Sequence, residues 1–230
     1  MEKKLTDKDH WEQIVKSKRR YLEEKQFPPL PNPYENRIQP IMHTGYLIFI
    51  RSKFIYLGLI ESLEKKNLYA AHSLLKSYWE DVAAFGYYHL TVSQLLKKGK
   101  KQEAFVISRK MALGGRGFLT EKMVKKKGHT MEDFKLPSIY TMMDKVDKDW
   151  RKNSKKNISI LRELYHTQVA EGGHTTYLGL WIAGKWLPNK SMLPDLKKSW
   201  TKEENSSILN LAAMSSLIFF YYWDRFQELN

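Results

Sequence analysis

The stretch Tyr69–Leu96, YAAHSLLKSYWEDVAAFGYYHLTVSQLL, decides the fold. It holds no proline and one interior glycine, Gly86. Leu75, Trp79, Val82 and Phe85/Gly86 recur at helical spacing, and Leu74, Tyr78, Phe85 and Leu96 widen that stripe past half the circumference. A helix of this length runs about 42 Å at 1.5 Å per residue. One that is apolar over most of its surface must be surrounded by other helices, so this stretch reads as the central rod of a bundle. A line of polar residues is set into it at four-residue spacing: His72, Lys76 and Glu80, with Asp81 beside the last.

Outward from the rod, the pattern stays helical. Thr6 and Asp9 form a capping box, which predicts a helix to about Lys25. FPPLPNPYENRIQP carries five prolines between Phe27 and Pro40, a spacing no helix or central strand survives. It reads as an extended arm laid over the bundle. The expected organisation is therefore residues 1–41 as an N-terminal helix and proline-rich arm packed on a bundle domain of residues 42–230. A second long helix is expected from about His43 to Lys66, with a turn at Asn67 before the rod. KKGKK at 97–101 breaks the chain, and Gln102–Leu113 is amphipathic again. Gly114-Gly115-Arg116-Gly117 lacks the spacing of a phosphate loop and reads as a turn.

Phe118–Lys127 then reads as a short basic helix. Pro137 opens a helix through Trp150, RKNSKKN at 151–157 is a polar connection, and 158–170 is helical up to Gly172-Gly173. An apolar pattern resumes at Thr175–Trp186, followed by a surface loop, LPNKSMLPDLKK. Thr201 and Glu204 make a second capping box that opens a last helix, about Lys202 to Gln227. Seven or eight helices and no strand pair give an all-α class, a single-domain helical bundle.

Composition narrows the function classes. Aromatic residues make up 13% of the chain, too many for a disordered one despite its charge. With no cysteine, disulfides, thiolate metal sites and cysteine nucleophiles are excluded. The opening MEKKLTDKDHWEQ has no apolar run, so an intracellular, cytoplasmic location is expected. Two apolar segments do not suit a membrane. Tyr46–Leu63 carries Arg51 and Lys53, each costing roughly 2.5–3.5 kcal/mol to insert. The other, Leu209–Tyr222, falls short of the roughly 20 residues a span needs.

Lys and Arg outnumber Asp and Glu by 39 to 25, a net +14 that favours polyanions such as RNA. The lysines cluster as Lys97, Lys98, Lys100 and Lys101, as Lys125, Lys126 and Lys127, and as Lys152, Lys155 and Lys156. Assembled at one end of the bundle they would bind phosphates; dispersed, they are solvated loops. No base-reading motif accompanies them.

The densest chemistry is LRELYHTQVAEGGHTTYLG, 161–179. Arg162 and His166 stand one helical turn apart, and Glu171 and His174 follow. Imidazoles, acids and an arginine together can do acid–base work or hold an anion. The same histidines also suit interhelical hydrogen bonds, and their spacing matches no standard metal site. On the rod, Lys76 and Glu80 read as a structural ion pair or as an edge facing this cluster. No cofactor is implied.

The Lys76-x-x-x-Glu80 helix (KSYWEDVAAFGYY), with the later LYHTQVAEGGHTTY segment, resembles a group of bacterial helical proteins related to the HEPN superfamily of helical ribonucleases and nucleotide-binding domains. The resemblance covers about residues 45–225. It implies an all-helical fold, with Lys76, Glu80 and His174 as matching site positions and Glu171 as a neighbour. HEPN nucleases carry an arginine, four to six residues, then a histidine. Here Arg162 and His166 have three between them, and Arg37 and His43 flank Pro40. Two functions follow as expectations. One is a noncatalytic interaction module binding a protein partner or RNA. The other is a metal-independent ribonuclease using Arg162 with His166 or His174, and a homodimer is compatible with both.

Overall fold

The computed structural model describes residues 5–24, 39–113, 130, 135–154, 160–170, 184–186, 192–194 and 201–229. Seven helices lie among them: α1 (Asp7–Glu23), α2 (Gln39–Glu64), α3 (Leu68–Lys97), α4 (Lys101–Leu113), α5 (Ile139–Ser154), α6 (Ile160–Leu164) and α7 (Lys202–Gln227). α6 runs straight into a π-helical turn, Tyr165–Val169. The fold class is all-α, as the periodicities predict. One short antiparallel pair is added, β1 (Gly184–Trp186) with β2 (Met192–Pro194), with Lys185 opposite Leu193. This corrects the expectation of no strand pair. Three-residue strands are too short to display the alternation that reveals a strand in sequence.

Several helix ends follow from local chemistry. At α1, Thr6 Oγ1 accepts from the Asp9 amide while Asp9 Oδ2 accepts from the Thr6 amide at 2.7 Å. At α7 the Thr201 amide donates to Glu204 Oε2 at 2.9 Å, and the Glu204 amide to Thr201 Oγ1 at 3.1 Å. α2 begins at Gln39, earlier than the expected His43, with Pro40 inside its first turn. That is where a missing N–H costs nothing, because the first-turn amides have no intrahelical acceptor. α2 ends with Lys66 at φ 55 and the Asn67 amide reaching back to the Ser62 carbonyl at 2.8 Å. Asn67 then caps α3, its Oδ1 accepting from the Ala70 amide at 3.1 Å. One asparagine thus closes one long helix and opens the next. Arg151–Ser154, expected as a connection, belong to α5.

The chain forms two compact units, with α2, α3 and α7 each contributing to both. One comprises Met1–Lys25, Ser52–Val82 and Ser159–Phe220. Its core is built on Tyr21, Tyr56, Tyr78, Trp79 and Phe219, all buried. The Tyr21 and Tyr78 hydroxyls bond each other at 2.8 Å, and the Tyr56 and Tyr78 rings pack 4.7 Å apart. Asp81 is buried beside them and accepts from Ser52 Oγ at 3.2 Å.

The other unit comprises Gln26–Arg51, Ala83–Ile158 and Tyr221–Asn230. Phe49, Phe85, Tyr88, Trp223 and Phe226 fill it. Two glycines admit its large rings. A Cβ on Gly45 would overlap the Phe226 ring, and one on Gly86 would stand 2.8 Å from Val146 Cγ2. Gly86 therefore sits inside the long apolar helix because α5 packs where its side chain would be.

Candidate functional site

Two places carry the polar side chains singled out by sequence. The first is on α3 where α6 docks. Trp79 is fully buried and its indole N–H donates to the Leu161 carbonyl at 3.1 Å, fixing α6 against α3. Leu161, Tyr165 and Val169 are buried on the inner side of that segment. Tyr165 reaches Glu80, donating from its hydroxyl to Oε1 at 2.5 Å. The same oxygen receives Lys76 Nζ at 2.9 Å, and the Lys76 and Glu80 side chains keep 19% and 31% of their exposure. Glu80 is thus held by two donors, one cationic and one phenolic, at a partly wet edge.

The 161–170 segment does meet the Lys76–Glu80 pair, but through Tyr165. Arg162 and His166 stand exposed. Residues 161, 165 and 169 line one side of the turn, so 162 and 166 follow on another. Glu171 and His174 lie outside the described residues. Among the described residues no group of three or more His, Asp or Glu side chains is placed to hold a metal. The arrangement positions α6 and neutralises a half-buried carboxylate. Tyr165 was legible only as the residue continuing the apolar spacing of Leu161 and Val169.

This geometry sets the cost of losing Glu80. Glu80→Ala removes the acceptor of the buried Tyr165 hydroxyl and the partner of Lys76. Since the ion pair is partly solvated, most of the loss comes from the phenol, about 1–3 kcal/mol. Urea melts of E80A and wild type measure it, and an unchanged midpoint would mean that Glu80 holds nothing in place.

The second place is the corner between α3 and α4. Gly99 takes φ +72, its amide donates to the Leu96 carbonyl at 2.9 Å, and the Lys100 amide to the Leu95 carbonyl at 2.9 Å. This is a Schellman stop with glycine at its left-handed position. The tight turn leaves Lys97, Lys98, Lys100 and Lys101 all exposed around one glycine. Lys100 pairs with Glu103 at 2.7 Å. Lys97, Lys98 and Lys101 have no acidic partner among the described residues. Lys152 is exposed in the last turn of α5. Lys125, Lys126, Lys127, Lys155 and Lys156 lie outside the described residues.

Two further groups escaped the sequence reading. Lys145 of α5 is half-buried; its Nζ donates to Thr91 Oγ1 at 2.7 Å and lies 5.0 Å from the centre of the Tyr87 ring. His89 is buried, with its ring 5.9 Å from that of Tyr222 and its Nδ1 3.4 Å from Ser93 Oγ. The signal for His89 was available, since it falls between Phe85 and Val92 on the inner stripe of α3. Among the described residues no helix is long and apolar enough to cross a membrane. No family model, curated protein or solved structure matches the chain.

Proposed function

We propose that the chain is a noncatalytic helical module that binds RNA through its phosphate backbone at the lysine turn between α3 and α4. The observation that carries this reading is the exposure of four lysines around Gly99, three of them without an acidic partner among the described residues. A net charge of +14 adds long-range attraction for a polyanion. Phosphate contacts carry little sequence information, so RNAs of unrelated sequence bind alike.

The test is fluorescence anisotropy with labelled single-stranded RNAs, about 20 nucleotides long, at low salt. K97E/K98E/K101E is expected to weaken binding to every sequence by a similar factor, about tenfold or more. Its helical content, read by circular dichroism, stays intact because these side chains are solvated. RNA recovered from the mixtures is expected to be uncut. Absence of binding at low salt contradicts the reading and leaves the lysines as solvated surface, with a protein partner as the better explanation. Cleavage lost on Arg162→Ala or His166→Ala contradicts the noncatalytic part and favours a ribonuclease.

A further inference from the structure

α3 carries a second feature that leads into the lysine turn. Tyr87, Thr91, Gln94 and Lys98 recur at spacings of four, three and four, which places them on one side of the helix. Tyr87 and Thr91 are half-buried, and Gln94 and Lys98 are exposed. At 1.5 Å per residue this side runs about 16 Å from the tyrosine to the turn. The Lys145 ammonium joins it from α5, bonded to Thr91 and lying over the Tyr87 ring.

Lys145 has no carboxylate within ion-pair distance among the described residues. Asp149, one helical turn along α5, and Glu103 of α4 are committed to other partners. Asp149 accepts from the Tyr222 hydroxyl at 3.1 Å and lies 3.8 Å from the Arg225 guanidinium, and Glu103 holds Lys100. A half-buried cation facing a neutral hydroxyl and a ring is held below the usual lysine range by desolvation. A phosphate oxygen would supply the negative charge this ammonium lacks.

An aromatic ring beside a row of cations suits a single strand rather than a duplex. Unpaired bases can stack on a tyrosine, whereas a duplex keeps its bases inside and offers phosphates and 2′-hydroxyls. We infer that the ligand is single-stranded RNA, laid along α3 from the lysine turn to Tyr87, with one base against the tyrosine and a phosphate on Lys145. At about 3.4 Å per stacked nucleotide the track holds about five. This rests on the RNA-binding reading above and adds to it the strandedness of the ligand and the path it takes.

The experiment is anisotropy at low salt with a labelled 12-nucleotide single-stranded RNA and with the duplex formed from it. Wild type, Y87L, K145Q and K97E/K98E/K101E are compared, each checked by circular dichroism. Wild type is expected to favour the single strand. Y87L is expected to lose about fivefold or more in single-strand affinity, the scale of one stacked base, while its duplex affinity stays unchanged. K145Q is expected to lose affinity for the single strand as well. If Y87L alters the fold, K145Q carries the test, because it leaves the Tyr87 ring in place and removes only the charge held between Thr91 and that ring. Equal affinity for single strand and duplex overturns the inference. So does wild-type affinity in K145Q beside a weakened lysine-turn variant, an outcome that leaves the RNA-binding reading standing. No binding by wild type overturns both.

Discussion

Trp223→Ala is expected to lower unfolding stability by about 3–5 kcal/mol, a large part of what a domain of this size possesses. Trp223 is 1% exposed. Its ring meets Phe49 at 4.1 Å, Tyr46 and Phe85 at 5.8 Å and Phe226 at 6.0 Å. Those residues come from α2, α3 and α7, so truncation opens a cavity lined by rigid rings that cannot collapse into it. The effect includes both the lost transfer energy of the indole and the cavity that remains. Chemical melts followed by circular dichroism read it as a shifted midpoint with an unchanged slope. A loss below about 1 kcal/mol would mean that α7 does not pack on α2 and α3 as described.

Acidification should weaken the fold through His89. Burial, then the positive charges of Arg225 and Lys97, lower its pKa from 6.5 to about 4. The folded state resists a proton that the unfolded chain takes up readily. Stability from this residue is therefore complete above about pH 6.5 and is lost as pH falls toward 4, by about 3 kcal/mol at most. His89→Gln cannot be protonated. Its stability deficit relative to wild type is expected to shrink by that amount between pH 7 and pH 4. Parallel stability–pH curves for the two proteins would show that His89 is already protonated, or solvated, in the folded state.

Much of the fold was legible because its signals are local. Thr6 with Asp9 and Thr201 with Glu204 announce helix starts within four residues, and both capping boxes form. The rod was expected over Tyr69–Leu96 and extends one residue further at each end. What escaped depends on partners remote in sequence. Pro40 looked like part of the arm and instead opens α2, since a proline at a helix start and one in an extended segment read alike. Gly86 could be interpreted only once Val146 was seen to occupy the space of its absent side chain. Lys66 adopts a left-handed backbone usually left to glycine, which costs about 1–2 kcal/mol and has no sequence signature.

The candidate site was half legible for the same reason. Lys76 and Glu80 pair as their four-residue spacing predicts. The partner that α6 supplies is Tyr165, an aromatic residue that an inventory of acids and bases passes over. Arg162 and His166 share a turn, but helical spacing alone does not say whether that side faces the bundle or solvent. KKGKK was legible as a break. That all four of its lysines stay exposed follows from the Gly99 stop, which turns the chain without covering it.

The salt dependence of RNA affinity tests the central claim most directly. Phosphate contacts release counterions, so the logarithm of the binding constant should fall linearly with the logarithm of salt concentration, by about 0.7 per phosphate neutralised on a single strand. Removing three lysines in K97E/K98E/K101E should flatten that slope by about 2. A steep wild-type slope with a shallower variant slope is the predicted result. Affinity indifferent to salt, or identical slopes for the two proteins, would contradict RNA binding at the lysine turn.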